Sequence, residues 1–155
     1  MTPKQKGNLL VVGQFALLIA MAVLPQDSGW IPDSFLGILD TIVFALGWLV
    51  LIWAGINLGR SLTANPVPLE KAKLKTTGLY AVVRHPIYLG LILIGLAMSV
   101  KANSLLSYLL LALLILLLNF KARFEEQMLN AKFTEYAAYA TRVGRLFPGI
   151  GRIKR

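Results

Sequence analysis

Two short clusters hold most of the side chains in this chain that could do chemistry. The first is Arg84-His85-Pro86-Ile87-Tyr88, with Gly90 close behind. It gathers a permanent cation, an imidazole and a phenol around one helix start. Proline is favoured at the first helical position, where its missing N–H would have had no partner, and it biases the preceding residue away from helical backbone. The sequence therefore predicts His85 at a cap and a helix opening at Pro86. The free N–H groups of that first turn, their partial positive charge and the Arg84 guanidinium could receive a carboxylate or a phosphate. The plainer alternative is that Arg84 and His85 only anchor a helix end at lipid headgroups. The second cluster is Lys121-Ala122-Arg123-Phe124-Glu125-Glu126. On a continuous helix Lys121 and Glu125 share a face at i and i+4. The adjacent carboxylates either form internal ion pairs on a solvated helix or accept hydrogen bonds from a ligand and hold its cation. The local pattern leaves both readings open.

Other chemistries are excluded by composition. The 155 residues contain no cysteine and one histidine, which removes disulfides, thiolate sites, cysteine nucleophiles and any histidine-rich metal site. Hydrophobic residues make up 57% and charged residues 15%, against roughly 45–50% and 25% in soluble domains. Mean hydropathy is +0.68. Together these figures argue against an ordinary soluble domain. The formal charge of +9 would suggest nucleic acid in a soluble protein; here the distribution of basic residues gives a different reason for it, and no nucleic-acid module is present.

The elements that must position the two clusters are four apolar runs, at 8–24, 35–58, 86–100 and 104–120. The first is about as short as a bilayer crossing can be. Lys4 and Lys6 precede it as they would a secretory signal, but no small-residue cleavage site follows, and Pro25-Gln26-Asp27 reads as a turn. Asp40 is the one acid in the second run. Only Lys101-Ala102-Asn103 separates the last two, which predicts an antiparallel helical hairpin. Four crossings bring the N-terminus, the 59–85 segment and the 121–155 segment to one side, carrying 15 of the 16 basic residues. Lys101, with Asp27 and Asp33, is left on the other. Basic residues collect on the cytoplasmic side of membrane proteins, so both termini are expected in the cytoplasm. Beyond the glutamates, Leu129, Phe133, Tyr136, Ala140 and Val143 recur at helical spacing. They predict an amphipathic helix, ended by Pro148-Gly149, that lies on the membrane surface or closes over the bundle. The expectation is an all-α integral membrane protein with about four transmembrane helices and a cytoplasmic C-terminal amphipathic helix, forming one domain over residues 1–155. The expected location is a prokaryotic plasma (inner) membrane.

Taken in order, several pieces resemble the isoprenylcysteine carboxyl methyltransferase family and the related phospholipid methyltransferases. They are Gly78-Leu79-Tyr80, then Arg84-His85-Pro86-Ile87-Tyr88-Leu89-Gly90. After an apolar hairpin come Glu125-Glu126, Leu129, Phe133, Tyr136, Tyr139 and Val143 ahead of Pro148. The resemblance runs from Lys71 to Pro148, about half the chain. Its cytoplasmic parts are 71–90 and 121–148. Members are integral membrane enzymes that move a methyl group from S-adenosylmethionine to a lipid-like acceptor, leaving S-adenosylhomocysteine.

The resemblance implies roles for individual residues. Lys73, Leu74, Lys75, Tyr80, His85, Pro86, Ile87, Tyr88 and Glu125 match positions that contact the cofactor. Lys121 matches a position on the acceptor side that is usually arginine. Lysine cannot make arginine's two-pronged contact with a carboxylate, and Arg123, on another helix face, is the nearest substitute. The spacing before Tyr136 is one residue shorter than usual. A carboxylate acceptor would be positioned by Arg84, Lys121 or Arg123; an amine acceptor needs a base, for which Glu126 is the nearest candidate. The apolar hairpin of the last two runs would give the lipid its lateral route. The expected partners are thus the bilayer and a lipidic acceptor, without metal or nucleic acid. The alternatives are a nicotinamide-dependent membrane reductase of the sterol-reductase type, a non-enzymatic membrane scaffold, and a small transporter, the last disfavoured because Asp40 alone is charged within a run.

Overall fold

In the computed structural model, which describes residues 1–25 and 33–153 (backbone alone for 33–36), Thr2 starts the first helix. Its hydroxyl accepts from Gln5 N at 3.3 Å, and the Gln5 side chain accepts from Thr2 N at 2.8 Å. This reciprocal cap, with Pro3 in the first helical position, satisfies N–H groups that would otherwise lack partners. Helix α1 therefore runs Pro3–Ala22, opening five residues before the apolar run that predicted a start at residue 8. Gln26 and Asp27 of the expected turn, and Lys154 and Arg155, lie outside the described residues.

Helix α2 is Asp33–Leu58, α3 Pro86–Ala102, α4 Leu105–Lys132 and α5 Tyr136–Arg142. Helices α1, α2 and α4 are each long and apolar enough to cross a membrane. Helix α3, at 17 residues, covers about 25 Å at 1.5 Å per residue. The membrane-helical architecture stands as expected. Among the described residues the nearest approach to a sheet is one isolated parallel bridge, Val83 with Gly144.

The predicted hairpin joins α3 to α4. Asn103 turns the chain at φ 48°, and Ser104 caps α4 by accepting from Ser107 N at 3.2 Å. Below the turn, the Ser99 hydroxyl donates to Ser107 O at 3.0 Å and the Ser107 hydroxyl to Ser99 O at 3.1 Å. Small hydroxyl residues allow such close helix approach in a membrane. Helix α2 crosses α3 through a pair of glycines. A Cβ on Gly90 would lie 3.0 Å from both Gly47 O and Leu51 N, and one on Gly47 would lie 2.9 Å from Ile94 N. Gly90 thus admits a neighbouring helix. Leu114, Leu118 and Ala122 of α4 form the fully buried core with Met21 of α1 and Ile92 of α3.

The basic segments meet at one end of the bundle. Asn65 Nδ2 donates to Lys4 O at 3.2 Å and to Asn8 Oδ1 at 2.7 Å; Lys132 Nζ donates to Leu69 O and Glu70 O. Lys101, in the hairpin, is at the other end.

The amphipathic helix differs from expectation. Rather than continuing to Pro148, α4 stops at Lys132, Phe133 adopts extended backbone, and a separate α5 of seven residues begins at Tyr136. Packing decides this. The break lets Tyr136, Tyr139 and Ala140 pack on Leu74, Leu129, Phe133 and Val143, which one straight helix could not do.

Candidate functional site

The Arg84-His85 junction is built by two distant segments. A 3₁₀ turn at Gly78–Ala81 leads into the bridge between Val83 and Gly144; Arg84 N donates to Gly144 O at 2.8 Å and His85 N to Arg145 O at 3.1 Å. His85 takes the cap position ahead of Pro86, as the sequence predicts.

Arg84 does not face an open anion site. Its five N–H donors are all occupied. Nε donates to Glu126 Oε1 at 2.8 Å, and Nη2 lies 2.6 Å from the same oxygen and 3.0 Å from Gly151 O. Nη1 donates to Ala140 O at 3.0 Å and to Val143 O. The guanidinium thus ties off carbonyls at the end of α5, where a helix leaves acceptors without partners. Glu126 is held from the other side by Arg145, with Nε and Nη2 both 2.9 Å from Oε2. Arg145 Nη1 also donates to Asn119 Oδ1 at 3.3 Å. The expectation that Glu126 faces an acceptor as a base is therefore corrected: its carboxylate is buried between two guanidiniums.

Glu125 has the opposite surroundings. It accepts from the Tyr88 hydroxyl at 2.6 Å, and its Oε2 lies 3.6 Å from His85 Nδ1. The His85 and Tyr88 rings stack, 5.2 Å between centroids and 2° from parallel. His85 Nε2 is buried 3.4 Å from Glu126 Oε1, within ion-pair reach but not aligned as a hydrogen bond. Lys121 and Glu125 do not pair with each other as their spacing allows. Lys121 Nζ donates to Gln14 Oε1 at 2.7 Å and lies 5.0 Å from the centre of the Tyr88 ring.

Three further phenols complete the wall. The Tyr139 hydroxyl donates to Tyr80 O, while the Tyr136 hydroxyl is buried without a partner. Burial pushes the Tyr139 hydroxyl up to about 12, partly opposed by the Arg84 charge. Burial raises Tyr80 and Tyr136 above their ordinary value as well, and the negative charge of Glu125 on Tyr80 and of Glu126 on Tyr136 adds to it. All three are neutral hydroxyls at physiological pH.

These groups open on a cavity of about 910 Å³. Of the residues that the resemblance assigns to the cofactor, Lys73, Leu74, Lys75, Tyr80, His85, Ile87, Tyr88 and Glu125 line it; Arg84 and Lys121 do too. Pro86 is not on its wall and serves as the helix start. Arg123 is exposed on another face of α4, which corrects its expected place on the acceptor side. From this polar end the cavity continues between α1 (Phe15, Leu18, Ile19) and α2 (Trp48, Leu51, Ile52). Leu91, Ile94 and Met98 of α3 line the same apolar part. The α3–α4 hairpin, predicted to give the lipid its lateral route, is joined near its turn by the Ser99–Ser107 contact, and no residue of its 104–120 run lines the cavity.

Sequence reasoning missed Gln14, Asn119 and Arg145, and gave Tyr136 and Tyr139 no direct chemistry. Gln14 carried a signal, being an amide deep in a charge-free apolar run, where polar side chains usually have partners. Among the described residues no three histidine or acidic side chains converge as metal ligands.

A sequence profile described as phospholipid methyltransferase matches residues 33–136, two-thirds of the chain. No curated protein matches the chain significantly.

Proposed function

The chain belongs to the phospholipid methyltransferase family, and we propose from that premise that it moves a methyl group from S-adenosylmethionine to a lipid-like acceptor at the cytoplasmic membrane surface. One observation carries the reading. The cavity joins a polar end at the basic face of the bundle to an apolar crevice between α1 and α2. A water-soluble donor and a membrane-borne acceptor can reach the Tyr88–Glu125 rim from the two sides.

The residues present fit the donor. S-adenosylmethionine, when bound, supplies a methyl group on a positively charged sulfur, so that transfer is an in-line displacement needing neither metal nor covalent intermediate. Lys73 and Lys75 offer cations to its carboxylate, and the unpartnered Tyr136 hydroxyl offers a hydrogen bond. The Glu125 carboxylate and the stacked His85 and Tyr88 rings offer negative charge and π faces to its cationic part. What the chain contributes is orientation and exclusion of water.

On the acceptor side, Lys121 is the cation available to hold a carboxylate, since the donors of Arg84 are occupied. For an amine acceptor Glu125 is the cavity-facing carboxylate that could take the proton, since Glu126 is held between Arg84 and Arg145. The gathering of basic residues at the cavity's polar end supports a cytoplasmic site with the N-terminus on the same side.

Calorimetric titration of the purified protein in detergent with S-adenosylhomocysteine, with NADPH in parallel, tests the reading. Saturable binding of the first alone is the expected result. Binding of NADPH alone would replace transfer by reduction, and binding of neither to folded protein would remove the enzymatic reading. Lipid extracts treated with the protein and a labelled methyl donor, read by mass spectrometry, then identify the acceptor.

A further inference from the structure

Lys121 is 1% exposed and lines the cavity, yet among the described residues no carboxylate lies within ion-pair distance of it. Of its three N–H donors, one goes to Gln14 Oε1 at 2.7 Å, and its charge faces the Tyr88 ring at 5.0 Å. Both partners are neutral. The nearest acid along its helix, Glu125, is bound by the Tyr88 hydroxyl and lies against His85. An ammonium held in this way has lost most of its hydration and gained no negative partner in its place, so an anion bound beside it is what would offset its burial. It stands where the polar end of the cavity meets the apolar walls of Phe15, Leu18 and Leu91.

Gln14 belongs to α1, outside the 33–136 segment that matches the family profile. It is 4% exposed, and its oxygen fixes the direction of the ammonium. A carboxylate on the same carbon skeleton would pair with the lysine as a counter-ion; the amide supplies an acceptor without negative charge. We infer that Gln14 and Lys121 form an oxyanion-reading pair, which selects amphiphiles that carry a carboxylate or phosphate at the head of a chain lying between α1 and α2. Gln14 is a positioning residue that acts through Lys121. As the identity of the acceptor this rests on the proposed function; as a binding site it does not.

The test uses four twelve-carbon probes with one tail and different heads: dodecyl phosphate, dodecanoate, dodecylamine and dodecanol. Each is titrated into the full chain in dodecyl maltoside, read by the tryptophan fluorescence to which Trp48 on the cavity wall contributes. At least one of the two oxyanion probes binds about tenfold or more tighter than dodecanol, and dodecylamine binds no better than dodecanol. Which oxyanion wins separates a carboxylate acceptor from a phosphate-bearing one. Gln14→Glu, nearly equal in volume, collapses that preference to within about twofold by neutralising Lys121 internally, and Lys121→Gln does the same. Lys101→Gln, at the far end of the bundle, leaves it intact. Equal binding of dodecanol and both oxyanions by the native chain would overturn the inference, as would full retention of the preference in a folded Gln14→Glu protein. S-adenosylhomocysteine is titrated separately into the native chain. If it fails to bind while the oxyanion preference holds, methyl transfer falls and the anion site stands.

Discussion

Glu125 and Glu126 are consecutive residues on one helix, yet they belong to different parts of the protein. A step of one residue turns the side chain by about 100°, and α4 lies between a cavity and a packed tail. Glu125 faces the cavity, a quarter exposed, with one phenol as its close partner. Glu126 faces Arg84 and Arg145, with a side chain 7% exposed. Identical chemistry therefore has two settings: one carboxylate lines the cavity, and the other joins segments far apart in the chain.

If that division is right, the two faces respond differently to mutation. The largest effect is expected at Arg84. Arg84→Ala leaves the Glu126 carboxylate with a single guanidinium, takes the side-chain donor from the carbonyls of Val143 and Gly151 and leaves Ala140 O with Ile153 N alone, costing about 3–5 kcal/mol. The thermal unfolding midpoint in detergent should fall sharply, and a midpoint near the native one would break the comparison. Arg145→Ala removes the more accessible partner, with a side chain 18% exposed, and should cost about 1.5–3 kcal/mol by the same measurement. Glu125→Gln should leave the unfolding midpoint unchanged while weakening S-adenosylhomocysteine binding about tenfold, equivalent to about 1.4 kcal/mol. Loss of stability without loss of binding would reverse the roles of the two glutamates. The smallest effect is expected for Tyr88→Phe, which deletes the hydroxyl that holds Glu125 and should weaken binding by about 1 kcal/mol or less. Calorimetry on that variant sharpens the picture, because Glu125 stays in place but loses its orienting partner.

The legibility of the sequence follows the range of the interactions involved. The His85 cap and the helix start at Pro86 could be read because proline acts on its immediate neighbours. The α3–α4 hairpin could be read because three residues leave a chain little choice. The four apolar runs and the side on which the cations gather depend only on composition along the chain. Which glutamate faces the cavity could not be read, because helix periodicity gives the angle between Glu125 and Glu126 but not the direction of either. The early start of α1 was overlooked because its cap, Thr2 with Gln5, lies outside the apolar run. The break after Lys132 is local in effect but tertiary in cause: the continuous apolar spacing from Leu129 to Val143 fits one helix until Leu74 and Tyr80 are brought alongside. Arg145 gave no signal, as one basic residue among several in a polar tail.

The contacts of Arg84 also set an order of assembly. Its guanidinium requires carbonyls from residues 140–151, synthesised more than fifty positions after it. During biosynthesis the N-terminal part of a chain organises first, so the helices can insert while Arg84 and Glu126 still lack the tail. Until residues 143–151 emerge and dock, the Arg84 guanidinium lacks the carbonyls of Val143 and Gly151. A chain that ended before Val143 would leave those donors of Arg84 without the carbonyls they meet in the complete fold.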